Sequence, residues 1–204
     1  MKRVLVLSLI MIVAFNFSSC KSEKKSDSNK KNEVKKNYLV ASAKSEINFT
    51  AYKTSEKIPV KGQFKKVDII ANGEGNTIKE AINNVEFSIP VSSIFTKDTS
   101  RDFKIKKFFF GVMDNTKLLS GKLVIENDSI GYANIKMNGK VEKVSFSYSI
   151  LEKTFSMNAT MNLENWNAVK AINSLNLECK DLHKGTDGVS KTWNEVALNI
   201  TTTF

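Results

Sequence analysis

Residues 141–163 read VEKVSFSYSILEKTFSMNATMNL. Val144, Phe146, Tyr148 and Ile150 alternate with Ser145, Ser147 and Ser149. Phe155, Met157, Ala159, Met161 and Leu163 alternate with Ser156, Asn158, Thr160 and Asn162. Successive side chains of a strand point to opposite faces, so this pattern makes two strands, each greasy on one side and polar on the other. Glu152-Lys153 forms the turn between them.

The same logic extends in both directions. Asn138-Gly139 separates residues 131–137 from 141–150 and suits a type I′ hairpin, whose two central residues both need positive φ. Asn127-Asp128 follows residues 118–126 and precedes Ile130. About four consecutive antiparallel strands therefore run from Leu118 to Leu163. Val196, Leu198, Ile200, Thr202 and Phe204 alternate at the C-terminal end. Upstream, Ile47, Phe49 and Ala51 alternate, and Val60 to Ile70 reads as one strand with Gly62 and Phe64 inside it. Asn72-Gly73-Glu74-Gly75-Asn76 is a turn, and Val85 to Ile89 stops at Pro90. The chain is all-β, with about eight strands forming a sandwich or a closed antiparallel barrel. An eight-stranded barrel is just wide enough for one small ligand. Inward Phe and Met residues suit an elongated apolar cavity, and they equally suit a barrel filled by its own side chains.

Two segments break the period of two. Phe103 to Met113 (FKIKKFFFGVM) reads as a short helical insertion. From Asn165 to His183, the apolar residues Trp166, Val169, Ile172, Leu175, Cys179 and Leu182 recur at three- and four-residue spacing, which predicts a second helix. Gly185 follows as a stop.

The formal net charge of +10 invites a nucleic-acid reading until its location is traced. Residues 1–19 read as an export signal: Lys2 and Arg3, an apolar run from Val4 to Phe17, then small residues before Cys20. The run is too short to span a bilayer as a helix. The small-small-Cys ending resembles a bacterial lipobox, in which Cys20 takes the lipid that anchors the chain. Residues 20–37 then form a lysine-rich tether with one apolar residue, Val34, and no means of building a core. The signal carries +2 and the tether +4, which leaves +4 on the 167 residues from Tyr38 to Phe204. That is an ordinary balance, and no nucleic-acid motif accompanies it. The expected address is the periplasmic side of the cell envelope. Lys21 is not the acidic residue that commonly retains a lipoprotein at the inner membrane, so the expectation leans to the outer membrane.

Catalytic patterns are missing. The sole His rules out a metal site built from several imidazoles, and Cys179 with His183 supplies only two ligands. No G-x-S-x-G elbow, P-loop or dinucleotide fingerprint occurs. The reading is a binding protein without catalysis, cofactor or metal. With Cys20 used by lipid, Cys179 is unpaired, and its leucine neighbours predict burial.

The order of several short motifs resembles the YceI-like family: Gly62-Gln63-Phe64, then Ser93-Ile94-Phe95-Thr96, Arg101-Asp102 and Phe108-Phe109, with a glycine turn at Asn138-Gly139. Cys179-x-x-x-His183-Lys184-Gly185, followed by Ser190-Lys191-Thr192-Trp193, looks like a lipoprotein variant of it. The resemblance covers residues 38–204. It implies an extended lipocalin-like β-barrel with one or two short helical insertions, export to the periplasm, and in some members a polyisoprenoid chain held in the barrel. Others are linked with quinone or cytochrome b systems. The chain departs from the common pattern by lacking a histidine near the first strand and by carrying the Trp166–His183 segment where the family has an arginine motif.

The expected apolar cavity residues are Phe49, Phe64, Phe87, Phe103, Phe108, Phe109, Met137, Phe146, Tyr148, Met157, Met161 and Trp166. Arg101, Asp102 and His183 are the expected polar mouth. Arg101, the sole arginine outside the signal, either pairs with Asp102 or another acid or orients a polar ligand end. The expected partners are an apolar isoprenoid-like lipid and the membrane through acylated Cys20, with a homodimer left open. Phe103–Met113 is the expected flap. Two other readings remain: a structural or adhesive module with a filled barrel, and a redox partner using Cys179 and His183.

Overall fold

The computed structural model describes residues 37–204. The expected signal peptide, Cys20 and the tether up to Lys36 lie outside the described residues.

The chain begins with β1 (Tyr38–Leu39), β2 (Lys44–Lys53), β3 (Ile58–Phe64), β4 (Asp68–Ala71) and β5 (Glu74–Gly75). Helix α1 (Ile78–Ile82) is capped by Thr77, whose side chain accepts from the Glu80 N–H. Strands β6 (Glu86–Pro90) and β7 (Ile94–Phe95) lead into α2 (Thr99–Lys104), capped in the same way by Asp98. A π-helical turn at Ile105–Phe109 and a 3₁₀ turn at Phe110–Val112 continue it. The meander follows as β8 (Leu118–Ile125), β9 (Ile130–Met137), β10 (Lys140–Leu151) and β11 (Thr154–Asn162). After α3 (Val169–Glu178), β12 (Thr192–Thr203) ends the sheet.

Ten strands form one antiparallel sheet in the order β4-β6-β8-β9-β10-β11-β12-β2-β3-β7, while β1 pairs with β5. The ten exceed the expected eight by β7, too short to leave a periodic trace, and by the division of Val60–Ile70 into β3 and β4. The last strand lies between β11 and β2, so the sheet curls round on itself as a half-barrel with β4 and β7 at its edges. The sheet and both buried clusters of side chains lie within the described residues, which therefore carry a hydrophobic core of their own.

The meander forms as its pattern requires. Val144, Phe146 and Tyr148 are buried while Ser145, Ser147 and Ser149 are exposed. Asn138 (φ 50°) and Gly139 (φ 72°) both take the left-handed conformation expected of the turn. Asn127 organises the β8–β9 turn by accepting the Ser129 and Ile130 N–H groups on its side chain.

Three aromatic residues face glycines directly across strand pairs: Phe49 and Gly62, Phe87 and Gly121, Phe146 and Gly131. Each ring lies over its glycine. A Cβ on Gly121 would come within 2.8 Å of Phe87, and one on Gly131 within 2.6 Å of Phe146. The rings cover backbone that glycine would otherwise leave bare.

Two expectations need correction. Val60–Ile70 is not one strand: it breaks at Lys65-Lys66-Val67 into β3 and β4, which sit near opposite edges of the sheet. The second helix is shorter than Asn165–His183. Leu163–Trp166 is a 3₁₀ turn, Asn167 takes a left-handed φ of 56°, and α3 proper ends at Glu178. Val169 and Leu182, placed on its apolar face by spacing, are exposed.

Candidate functional site: an apolar cavity inside the curled sheet

The buried side chains form two clusters. One gathers around Phe109, Phe110, Met137, Met161 and Trp166, the other around Val40, Ile82, Val85, Phe155 and Met157. A cavity of about 210 Å³ lies between them and draws its wall from both. Inward residues of the meander supply one side. The segment from α2 to the 3₁₀ turn supplies Ile105, Phe109 and Phe110.

Few polar side chains reach this wall, and their hydrogen-bonding atoms are occupied. Ser45 and Thr202 bond each other at 3.0 Å, Trp193 Nε1 donates to the Thr54 carbonyl at 2.8 Å, and Thr192 Oγ1 donates to Asn176 Oδ1 at 2.9 Å. A cavity without free polar partners does not hold ordered water and receives an apolar guest. Its volume exceeds the ~150 Å³ of an engineered cavity that takes benzene, and lies below the ~300–1,000 Å³ of drug-sized pockets. It therefore accommodates a segment of chain as it stands.

Seven of the twelve expected cavity residues line it: Phe49, Phe64, Phe87, Phe109, Met137, Met157 and Met161. Phe146, Tyr148 and Trp166 are buried but pack behind the wall, where Trp166 Nε1 donates to the Ile135 carbonyl at 2.9 Å and Tyr148 donates to the Asn127 carbonyl at 2.6 Å. Phe103 and Phe108 are brought elsewhere. Phe103 is 57% exposed, and Lys107 stands over both rings on the outer side of the segment. Helical rotation explains this, because Ile105 and Phe109 lie four apart and take the inner face. Sequence reasoning missed Ile47, Ile82, Val85, Phe110, Phe155 and Leu198 as wall residues. Most of these sit at inward positions of strands already identified, so strand register was the available signal.

The expected polar mouth is dispersed. Arg101 pairs with Asp98 at 3.2 Å on the surface, not with Asp102. Asp102 is buried and accepts both the Thr96 N–H at 2.8 Å and the Thr96 hydroxyl at 2.6 Å, which ties the loop after β7 to α2. Its role is architectural. His183 joins a chain beside the cavity: its Nδ1 lies 2.7 Å from Thr192 Oγ1. That hydroxyl gives its one hydrogen to Asn176, so Nδ1 carries the imidazole hydrogen and donates to it. Burial first, then the Lys53 and Lys104 charges, push the His183 pKa from 6.5 down to about 4. Cys179 is buried as expected, and burial pushes its thiol up, which disfavours the reactive thiolate.

This arrangement gives a pH dependence. A histidine with a depressed folded pKa binds its proton more readily when unfolded, so its contribution is complete above pH 6.5 and is lost as pH falls towards 4. Because the ring is only half-buried, the expected loss is about 1–2 kcal/mol. Urea unfolding across that range, compared with His183→Asn, checks it. The variant should show a flatter profile, and an unchanged slope would place the dependence on other groups.

An antiparallel sheet curled as a half-barrel around an apolar cavity is a lipocalin-like architecture. A family model described as a YceI-like domain matches residues 38–204, and the chain belongs to the YceI-like family. Two solved structures share the fold. One is a polyisoprenoid binding domain from Saccharophagus degradans described as implicated in plant cell wall breakdown. It is 11% identical with a TM-score of 0.57, over 81% of this chain and 95% of that one. The other is BcnA of Burkholderia cenocepacia, 14% identical with a TM-score of 0.51, over 81% and 98% respectively. At these identities the likeness concerns the fold alone. No curated protein matches the sequence.

Proposed function

We propose that the protein is a membrane-anchored lipoprotein that holds an apolar chain, of the polyisoprenoid or isoprenoid-quinone kind, in its cavity for storage or transport, without catalysis. The single observation that carries this reading is the cavity itself, apolar and with its few polar wall atoms already paired. Burial of chain carbons is then the sole large source of affinity, at ~0.8 kcal/mol per CH₂. The polyisoprenoid binding described for the Saccharophagus degradans domain supports the ligand class. Anchoring rests on the lipobox-like ending at Cys20, and the outer membrane on Lys21.

The test is to export residues 35–204 behind a cleavable signal peptide without a lipobox, purify them from the periplasm, extract them with organic solvent and analyse the extract by mass spectrometry. A stoichiometric isoprenoid lipid is expected. An empty extract, together with no uptake of a fluorescent polyene, would leave the structural-module reading. The segment proposed to move for a long guest is Phe103–Met113, which supplies cavity wall and whose backbone leaves regular α-helical geometry at Ile105–Val112. Its amides should exchange hydrogen faster than those of β10 and β11, and more slowly once lipid is bound. Exchange as slow as in those strands, with or without lipid, rejects the flap.

A further inference from the structure

We propose that the outer face of the α2–π segment, together with the adjoining end of α3, is a docking surface for an anionic lipid bilayer. The proposal rests on the ligand class above, because an isoprenoid chain resides in a membrane. The segment is two-sided. Ile105, Phe109 and Phe110 form cavity wall, while Phe103 and Lys107 face solvent. The Lys104–Glu178 ion pair at 3.4 Å ties the segment to α3, and beside it Leu177 stands 75% exposed on α3. Large apolar side chains projecting from two short helices at one end of a barrel are costly in water and suit the acyl boundary of a bilayer.

Charge identifies the occupant. Among the described residues neither Lys106 nor Lys107 forms an ion pair, and Lys107 lies 5.4 and 5.0 Å above the Phe103 and Phe108 rings. Residues 97–117 carry +3 of the +4 on Tyr38–Phe204. Lysines set beside the exposed Phe103 and the partly buried Phe108 match an anionic head-group layer over an acyl core, and they repel a second copy of the same face. Docking here places the movable wall of the cavity against the membrane, so that a chain passes between bilayer and barrel without crossing water.

Residues 35–204 are incubated with vesicles of phosphatidylcholine alone and of phosphatidylcholine with phosphatidylglycerol, and bound protein is measured by sedimentation. Binding is expected on the anionic vesicles alone, and it should weaken as salt rises. K106A/K107A should reduce partitioning by ~25-fold. F103S/L177S, both at exposed positions that leave the core intact, should also reduce it. F103W should shift its emission to the blue on binding. The control pair K136A/K153A changes the charge equally on the sheet's outer face and a far hairpin. An equal loss in that pair, or no binding to anionic vesicles, overturns the proposal. So does self-association relieved by F103S/L177S without vesicle binding, which would make the face an interface between copies. Vesicle binding with an empty solvent extract would keep the docking surface and reject the carrier reading, and the converse result would do the reverse.

Discussion

Replacing Trp166 with alanine should lower the unfolding free energy by about 3–5 kcal/mol, a large share of what a domain of this size possesses. The side chain is completely buried, so the vacated space is large and surrounded by fixed strands. One side-chain hydrogen bond adds to the cost: Trp166 Nε1 donates to the Ile135 carbonyl on β9. The backbone carbonyl of residue 166 also accepts from Asn138 Nδ2 at 2.8 Å, a bond that alanine keeps. The indole thus fastens the 3₁₀ turn before α3 to β9 beside the hairpin that this backbone bond already holds. Trp166→Phe keeps most of the volume and loses the indole donor, and should cost about 1–3 kcal/mol. Urea unfolding of both variants checks the ranking, with unchanged m-values showing that the denatured state has not shifted. If Trp166→Ala does not fold, the phenylalanine variant still gives the measurement. A loss in either no larger than that of an average surface substitution would show that the residue does not hold the two elements together.

The meander and its turns were legible because alternation and turn chemistry agree there. β9, β10 and β11 each bury one parity of residue, and the Asn138-Gly139 turn accepts no other common pair as readily. The break between β3 and β4 was missed, because its signal is of a different kind. Phe64 lines the cavity at an even position, whereas Val67 and Ile69 line it at odd positions. A single straight strand cannot change parity, so the switch across Lys65-Lys66 marks two strands. Composition hides it, because both halves are β-prone.

The candidate site was legible only as a set of inward Phe and Met residues. Periodicity does not distinguish packed from lining side chains. Phe146 and Phe87 have the same chemistry and each faces a glycine across its strand pair, yet Phe87 borders the cavity and Phe146 belongs to a packed cluster. What separates them is their position along the barrel, and that depends on how ten strands are ordered rather than on any local pattern. The polar mouth failed for a related reason. Arg101 and Asp102 are adjacent in sequence, but on a helix adjacent residues point about 100° apart. One therefore reached solvent and the other the buried loop after β7.

The cavity makes a prediction in which stability and binding move in opposite directions. Ala159 lies on β11, opposite Phe146 and Leu198, and it lines the cavity. Ala159→Phe directs a ring into a space of about 210 Å³ that a guest would otherwise use. Filling an empty apolar cavity raises stability, here by about 0.5–2 kcal/mol. The same ring displaces two or three methylenes of the guest, and at ~0.8 kcal/mol each this weakens binding by ~15- to 60-fold. Paired urea unfolding and lipid extraction of the variant should therefore show a more stable protein that retains much less lipid. Higher stability with undiminished lipid would place the guest elsewhere. Lower stability would mean that β11 lacks the room the cavity indicates, because overpacking strains a core already filled. Opposed signs in the two measurements separate a space kept open at the expense of stability from one that is a packing defect.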